Sequence, residues 1–448
     1  MMAYRLFASA VSLWNYARGE SPGQPRYVAG ASKRVRRSLR DLGESFPYGW
    51  REIERGQFAN ALMVYAATIG EFHPLKPVID SFLASRPGTP LVILSGQHQY
   101  IEAIRAAYPL AAVGIPPPCA PWLYDRLLAL TSPRVLAIAE GPCLHLHFPI
   151  WFDLSLPAAC LRHGTPMVVV NATTFPYLAT SRLDKIEHRL YGSMHTDAVR
   201  YWYTQNEIFR SWLLAVGVPA DRVVVTGDLR FDAQRAIGAR SSDLTGLLAS
   251  LSAAGVPIIV AGSVNAIDEE SAVVDGWLEV RKKHAGARLI MAPRHVNNPE
   301  NMSQLYEYLN ARGVRYARRS EGVGPVAAAP VMVVDVFGEL PHYYSIASVA
   351  YIGRNHTVLE PLRFKVPTVV APRGDWAHDY VTFPAYKQLI DEHGIIEAPD
   401  KADLGQIFLK VIDTPDYGQI SVSNALRLAE REKGAGKRIV EHIQSHVL

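Results

Sequence analysis

The stretch Ala61-Leu62-Met63-Val64-Tyr65-Ala66-Ala67-Thr68-Ile69-Gly70-Glu71 decides the fold. Its first half, Ala61 to Tyr65, is an unbroken apolar run. That is the pattern of a strand buried on both faces of a parallel sheet, not of a strand with one wet face. The run stops at Gly70 and a carboxylate follows at once. In open α/β sheets ligands gather outside the carboxyl ends of the strands. Glu71 therefore stands where a general base can be held within roughly 3 Å of the proton it removes. The competing reading makes Glu71 an ordinary opening residue of the next helix, favoured there by the helix dipole.

Working outward, the same pattern of short apolar run, turn and helix recurs. Leu62 to Tyr65, Leu91 to Leu94, Ala112 to Ile115, Val135 to Ile138, Met167 to Asn171, Trp202 to Thr204 and Val223 to Thr226 read as strands. Helical segments such as Pro74 to Ala84 and Tyr100 to Ala107 lie between them. This spells a largely parallel sheet covered on both faces. After Phe231-Asp232 the strands pause, and 233 to 254 read as helical or linking. A second series follows: Pro257 to Ala261, Arg288 to Ala292, Val331 to Val334, Val349 to Ile352 and Thr368 to Ala371. The expected organisation is an N-terminal amphipathic and basic segment (1–45), a Rossmann-like domain (46–235), a linker (236–254), a second Rossmann-like domain (255–420) and a C-terminal helix (421–448). Two doubly wound units imply a ligand cleft between them.

The composition narrows the function. The chain has 448 residues, 49% hydrophobic and 20% charged, which is ordinary globular material for two or three domains. A net charge of +4 is too weak to argue for nucleic acid and suits an anionic substrate or an anionic membrane surface. The three cysteines, Cys119, Cys143 and Cys160, form no disulfide framework and fit a reducing compartment. His145 and His147 alternate as on a strand or loop, and no Cys/His spacing resembles a zinc site, so no metal is expected. No apolar run approaches the roughly 18 residues of a membrane span. The stretch Met2 to Trp14 lacks a signal-peptide cleavage pattern. Arg18, Arg26, Lys33, Arg34, Arg36, Arg37 and Arg40 follow it, a combination suited to peripheral contact with an anionic membrane.

The second half offers four polar strand ends. Val260-Ala261-Gly262-Ser263 ends in a turn whose N–H groups, opening a helix, can bind phosphate. Pro293-Arg294-His295 brings a guanidinium able to pair a phosphate bidentately, beside an imidazole. Asp335-Val336-Phe337-Gly338-Glu339-Leu340 is a third. In Asn355-His356-Thr357-Val358-Leu359-Glu360-Pro361, Asn355 or Thr357 can cap a helix and Glu360, one turn in, can accept from ribose hydroxyls. Taken singly each is an ordinary polar loop or first-turn acid. Four on one sheet edge favour a nucleotide site.

These blocks, in this order, resemble the 3-deoxy-D-manno-octulosonate (Kdo) transferases of lipopolysaccharide synthesis. The family's Ala-Ser-Val-Gly-Glu is similar to Ala67-Thr68-Ile69-Gly70-Glu71, and its later acidic block to Ala139-Glu140-Gly141. Its Gly-Ile-Pro, strand and Asn match Gly164-Thr165-Pro166 through Asn171. Its Gly-Asn-Leu-Lys-Phe-Asp matches Gly227-Asp228-Leu229-Arg230-Phe231-Asp232. Pro293-Arg294-His295 is intact. Asp335, Gly338, Glu339, Leu340 and Tyr344, and then His356 to Pro361, complete the set. The resemblance implies a GT-B-type glycosyltransferase: an α/β fold of two Rossmann-like domains facing across a cleft. The first domain would take the acceptor, the second the CMP-sugar, and the last helix would return to the first. It implies an inverting, metal-independent transfer from CMP-Kdo, without a cofactor, to a glycolipid of the lipid A type or a glycan. The setting would be cytoplasmic, at the inner face of the inner membrane. Glu71 maps to the base, with Glu140 as the second catalytic candidate. Ser263, Arg294, His295, Gly338, Glu339, His356, Thr357 and Glu360 map to the donor site, and Arg230, Asn171 and Arg354 are further candidates.

The chain also departs from the family. Glu140 is followed by Gly-Pro-Cys-Leu-His-Leu-His where the family has Glu-Leu-Trp-Pro-Asn, with Trp151 the only nearby tryptophan to stand for that one. Gly353-Arg354-Asn355-His356 replaces a longer glycine-rich loop, and Thr357-Val358 replaces Asn-Pro. Alternatives on the same architecture are a UDP-sugar-dependent glycosyltransferase, a sugar-nucleotide epimerase and a catalytically inactive paralogue.

Overall fold

The computed structural model describes residues 57–66, 68–96, 100–114, 121–140, 155–173, 198–215, 217–233, 240–353, 358–372 and 384–448. The N-terminal segment 1–45, Cys119, Cys143, His145, His147, Trp151, Arg354, His356 and Thr357 lie outside them. The chain divides into two compact units, residues 1–234 with 432–448, and residues 235–431.

The first unit is built on a seven-stranded parallel sheet: β1 (Leu62–Ala66), β2 (Leu91–Ser95), β3 (Ala112–Gly114), β4 (Val135–Ala139), β5 (Met167–Ala172), β6 (Val199–Thr204) and β7 (Val223–Val225), in the order β3-β2-β1-β4-β5-β6-β7. Every residue of β1 is buried. Met63 and Tyr65 enter one core with Val92, Leu136 and Trp202. Leu62, Val64 and Ala66 enter the core on the opposite face. This two-sided burial is why the run shows no polar alternation. β1 pairs with β2 on one side and β4 on the other, with Leu62 opposite both Leu91 and Val135.

β1 ends at Ala66, and the helix after it runs Ile69–Ser85, five residues earlier than the sequence suggested. Thr68 caps it by accepting the Glu71 N–H on its Oγ1 at 3.3 Å. Pro74 and Pro77 lie inside it rather than at its start. They are tolerated because Phe72, Leu75, Val78, Ile79 and Phe82 of the same helix are buried against the sheet and the C-terminal helix, Ala435–His446. That last helix contributes Ala435, Ile439, Val440 and Ile443 to the same core.

Two residues of the block 227–232 hold the C-terminal helix in place. The Asp232 carboxylate accepts the Gly434 N–H at 2.6 Å and the Gly436 N–H at 2.7 Å, placing a negative charge on otherwise unpaired donors. Arg438 donates through Nε and Nη2 to the Thr226 carbonyl at 2.9 and 2.7 Å. Gly227 has φ +95°, and a Cβ there would meet Arg438 Nη2 at 2.9 Å.

The second unit repeats the architecture: β8 (Ile258–Val264), β9 (Arg288–Pro293), β10 (Tyr316–Arg318), β11 (Val331–Val333), β12 (Val349–Ile352), β13 (Thr368–Val370) and β14 (Ile396–Glu397), ordered β10-β11-β9-β8-β12-β13-β14 and all parallel. Trp277 fills its core and donates Nε1–H to the Ala287 carbonyl at 3.0 Å. The segment expected as a linker is largely a helix, Ser242–Ala253, capped by Ser241, burying Leu244, Leu247, Leu248 and Leu251. The segment expected as one helix from 421 is two, Pro415–Glu432 and Ala435–His446, separated at Gly434 (φ +88°).

Replacing Asp232 by Ala strands the two N–H groups that it accepts. The expected loss is about 1–2 kcal/mol in urea-monitored stability. An unchanged midpoint would show that the C-terminal helix is held by its apolar face alone.

Candidate active site

In the first sheet the winding direction reverses between β1 and β4, the place where open α/β sheets leave a crevice. Glu71 follows β1, Glu140 follows β4, and Asn171 sits near the end of β5. Glu71 is 7% exposed and occupies the first turn of its helix, so the helix-opening reading holds for its backbone position. Its charge is close enough to act on Arg230.

Glu140 and Asn171 both adopt φ +56°, an unusual left-handed conformation for residues with side chains. Glu140 keeps the ladder going nonetheless: its N–H donates to the Val170 carbonyl at 2.8 Å, and its carbonyl accepts the Thr173 N–H at 3.1 Å. Its side chain turns to Arg230, whose Nη2 donates to Glu140 Oε1 at 2.5 Å. Asn171 Nδ2 donates to the same oxygen at 3.4 Å, while Asn171 Oδ1 accepts the Leu229 N–H at 2.9 Å. Arg230 Nη1 donates to Asp228 Oδ2 at 3.2 Å, and Asp228 Oδ1 accepts the Arg230 N–H at 2.9 Å. Glu140, Asn171 and Arg230 are thereby one hydrogen-bonded cluster. Asp228, which sequence reasoning did not single out, completes it.

The electrostatics are those of several acids sharing one base. Burial opposes the Arg230 charge, but Glu140, Asp228 and, more remotely, Glu71 outweigh it and hold the guanidinium firmly protonated. Burial pushes the Glu140 carboxyl up; Arg230 and Asn171 pull it down, and Asp228 adds to the push. A group of this kind accepts and holds a proton more readily than a solvated carboxylate does.

In the second sheet the winding reverses between β8 and β12. Ser263 lies at the end of β8 with φ +54°. Gly353 follows β12 so closely that a Cβ there would meet the Ser263 carbonyl oxygen at 2.4 Å. Arg294 follows β9 directly; its N–H donates to the Val264 carbonyl at 2.8 Å and its side chain is exposed, with partial desolvation drawing its pKa down. His295 is exposed beside it and its carbonyl accepts the Asn298 N–H at 2.8 Å. Gly338 has φ +87°.

Three expectations change here. The carboxylate of Glu339 is gripped by protein: Arg319 donates through Nε at 2.7 Å and Nη2 at 3.0 Å, and the buried Tyr343 hydroxyl donates at 2.5 Å. The helix after Ser263 is Ile267–Lys283, and its first turn carries Asp268, Glu269 and Glu270. Glu269 Oε2 accepts the Asn265 N–H at 3.0 Å, so one donor ahead of this helix is already engaged by the protein. Glu360 is not one turn into a helix. It precedes a four-residue 3-10 helix, Pro361–Phe364, because Pro361 supplies no N–H.

Arg319 and Tyr343 escaped the sequence reading because β10, which delivers Arg319, is a three-residue edge strand without an apolar run. The tyrosine pair Tyr343-Tyr344 carried the only signal. Tyr344 is fully buried over Gly262, where a Cβ would lie 2.0 Å from its hydroxyl, and Glu360 adds to the rise that burial gives its pKa.

The chain is similar to known proteins at three levels. A family model described as "3-Deoxy-D-manno-octulosonic-acid transferase (kdotransferase)" matches residues 40–233. The 3-deoxy-D-manno-octulosonic acid transferase of Bordetella pertussis is 25% identical over 405 residues, 86% of this chain and 87% of that one. The enzyme of the same name from Chlamydia pneumoniae is 25% identical over 321 residues, 69% of this chain and 68% of that one. Among solved structures, a putative UDP-N-acetylglucosamine 2-epimerase from Listeria monocytogenes matches with a TM-score of 0.59 at 13% identity, covering 87% of this chain and 96% of that one. The UDP-GlcNAc 2-epimerase of Neisseria meningitidis, bound to UDP-GlcNAc, matches at 0.58 and 15% identity, over 86% and 100%. The structural likeness shows the fold, an α/β chain of two Rossmann-like units of the GT-B type.

Two outcomes test the electrostatics. Arg230→Met leaves Glu140 and Asp228 without their cation; with the Arg230 side chain 20% exposed the expected cost is about 2–4 kcal/mol by chemical denaturation, below the roughly 3–5 of a fully buried pair. Glu270 is 2% exposed, its Oε2 has no hydrogen-bond partner among the described residues, and burial, then Glu269 and Asp268, raise its pKa to about 7. Its protonated form is the one the fold favours. That contribution is complete below the unfolded value of 4.5 and lost as pH rises through about 7. Glu270→Gln should therefore match the wild type near pH 4 and exceed its stability near pH 8, by up to about 3 kcal/mol. Equal stabilities at both pH values would contradict it.

Proposed function

Because the chain belongs, as a divergent member, to the Kdo transferase family, we propose that it is an inverting glycosyltransferase. It moves Kdo, or a related ulosonic acid, from CMP-Kdo to a hydroxyl of a lipid A-type glycolipid or another glycan. The observation that carries this reading is the placement of Glu71 and Glu140 on either side of the winding reversal of the first sheet, inside the segment that the family model covers.

In the proposed reaction the acceptor oxygen attacks the anomeric carbon as its proton passes to the Glu71 carboxylate. The bond from that carbon to the CMP phosphate oxygen breaks with oxocarbenium character at the carbon, and CMP leaves with the electron pair. Glu140, fixed by Arg230 and Asn171, lines the acceptor side. Arg294 meets the charge that grows on the departing phosphate, with His295 as a further donor. Ser263, Gly338, His356 and Thr357 belong to the same donor site, and Glu360 is assigned to the ribose. Glu339 serves by holding the Gly338 turn through Arg319 and Tyr343. No metal or cofactor is assigned.

No helix among the described residues is long and apolar enough to cross a membrane. For a glycolipid acceptor we assign the protein to the cytoplasmic side of the inner membrane. The basic segment 1–45 would make peripheral contact with anionic lipid, and no role with nucleic acid is assigned.

Glu71→Gln should lower transfer from CMP-Kdo by about 10²–10⁴-fold and leave CMP binding, read by thermal shift, in place. Wild-type turnover by this variant would remove Glu71 as the base. Stabilisation by UDP but not CMP would favour a UDP-sugar enzyme, the chemistry of the solved structural neighbours.

A further inference from the structure

Phe337 is 72% exposed, on the turn that follows β11 in the second unit. A single exposed aromatic is unremarkable on a protein surface, but this one is held in place from both sides. Two residues before it, the Asp335 carboxylate accepts the Ser320 N–H at 2.9 Å and the Ser320 hydroxyl at 2.5 Å. Two residues after it, Glu339 is clasped by Arg319 and Tyr343. The Arg319 and Glu339 side chains are only 11% and 20% exposed, so this second tie is largely shielded from solvent. Phe337 is therefore the apex of a turn whose two feet are fixed by hydrogen-bonded carboxylates.

The turn also has a defined destination. Leu340 and Tyr344, just beyond it, pack onto Gly262, where a Cβ would lie 3.2 Å from Leu340 Cδ2 and 2.0 Å from the Tyr344 hydroxyl. The segment 338–344 thus reaches from β11 past β9 to the carboxyl end of β8, beside Ser263 and the winding reversal at β8 and β12. Core packing cannot account for a phenyl ring left in water on a braced turn at this edge. A flat ligand can, since an aromatic side chain already fixed in place loses little entropy on stacking.

We propose that Phe337 is the platform on which the pyrimidine base of the donor nucleotide stacks, with the Arg319–Glu339–Tyr343 and Ser320–Asp335 ties as the devices that position it. This rests on the reading of the second unit as the CMP-sugar site. Phe337 touches the ligand; Arg319 acts through Glu339.

The test uses the full chain, with CMP and ribose 5-phosphate as probes in calorimetry. Phe337→Ala should weaken CMP by about 5- to 150-fold, the span seen for loss of one base–aromatic contact, without moving the unfolding midpoint of the free protein. Phe337→Tyr should restore CMP binding to near the wild-type value. Ribose 5-phosphate, which lacks the base, should bind both variants and the wild type alike. If the wild type binds CMP and Phe337→Ala binds it equally well, stacking is wrong while the donor site stands. If Phe337→Ala loses CMP and ribose 5-phosphate in equal measure, the residue shapes the turn and is no platform. If the wild type does not bind CMP at all, the donor reading itself fails and takes this proposal with it.

Discussion

The constraint on which the first unit depends is the parallel pairing of β1 with β4. About seventy residues separate the two strands, and Leu62 stands opposite Val135 with the register unbroken to Tyr65 and Ile138. Parallel neighbours cannot be joined by a hairpin, so each strand is entered from the same end and left at the same end. The chain winds one way through β2 and β3 and the other way through β5 to β7. The loops leaving β1 and β4 must then diverge, and Glu71 and Glu140 follow those two strands. The second unit meets the same constraint at β8 and β12, where Ser263 and Gly353 touch backbone to backbone. Both sets of site residues are consequences of strand order before they are consequences of chemistry.

The block Gly227 to Asp232 shows how a short motif can serve several masters. Gly227 makes room for Arg438, Asp228 and Arg230 complete the cluster around Glu140, and the Leu229 N–H fixes Asn171. Asp232 closes the start of the C-terminal helix. A sequence motif of this density invites a catalytic interpretation for every member. The geometry divides the labour instead: Arg230 pairs with Glu140 and Asp228, whereas Asp232 and Gly227 secure the C-terminal helix that packs on the helix carrying Glu71.

Much of this was legible in the chain because burial on both faces leaves a strong signal. The runs that form β1 and β4 are apolar throughout, and β8 and β9 each hold a four-residue apolar run, Ile258 to Ala261 and Leu289 to Ala292; candidate residues lie at or just beyond the carboxyl ends of all four. β10 and β14 were invisible for the converse reason. Tyr-Ala-Arg and Ile-Glu are short edge segments with one neighbour each, and nothing in their composition separates them from loop. The starts of helices misled where proline was read as a boundary: Pro74 and Pro77 lie within a helix whose apolar face outweighs two missing hydrogen bonds. Tertiary ties such as Arg319 to Glu339, twenty residues apart, have no local pattern at all. Glu339 was assigned to the donor site through the resemblance, and the sequence shows neither the Arg319 nor the Tyr343 contact that holds its carboxylate.

The two units solve opposite electrostatic problems. Around Glu140 the first unit gathers more acid than base, so that one guanidinium serves Glu140 and Asp228 and feels Glu71 as well. In such a setting a proton taken up by one carboxylate relieves repulsion among the rest, which lowers the cost of accepting it. The second unit instead leaves the Arg294 side chain exposed, with partial desolvation as the influence on its charge, and there Glu339 is engaged with Arg319, Asp335 with Ser320 and Asp268 with Lys401. The acid-rich cluster and the exposed cation thus stand at the carboxyl ends of separate sheets, each close to the winding reversal of its own unit.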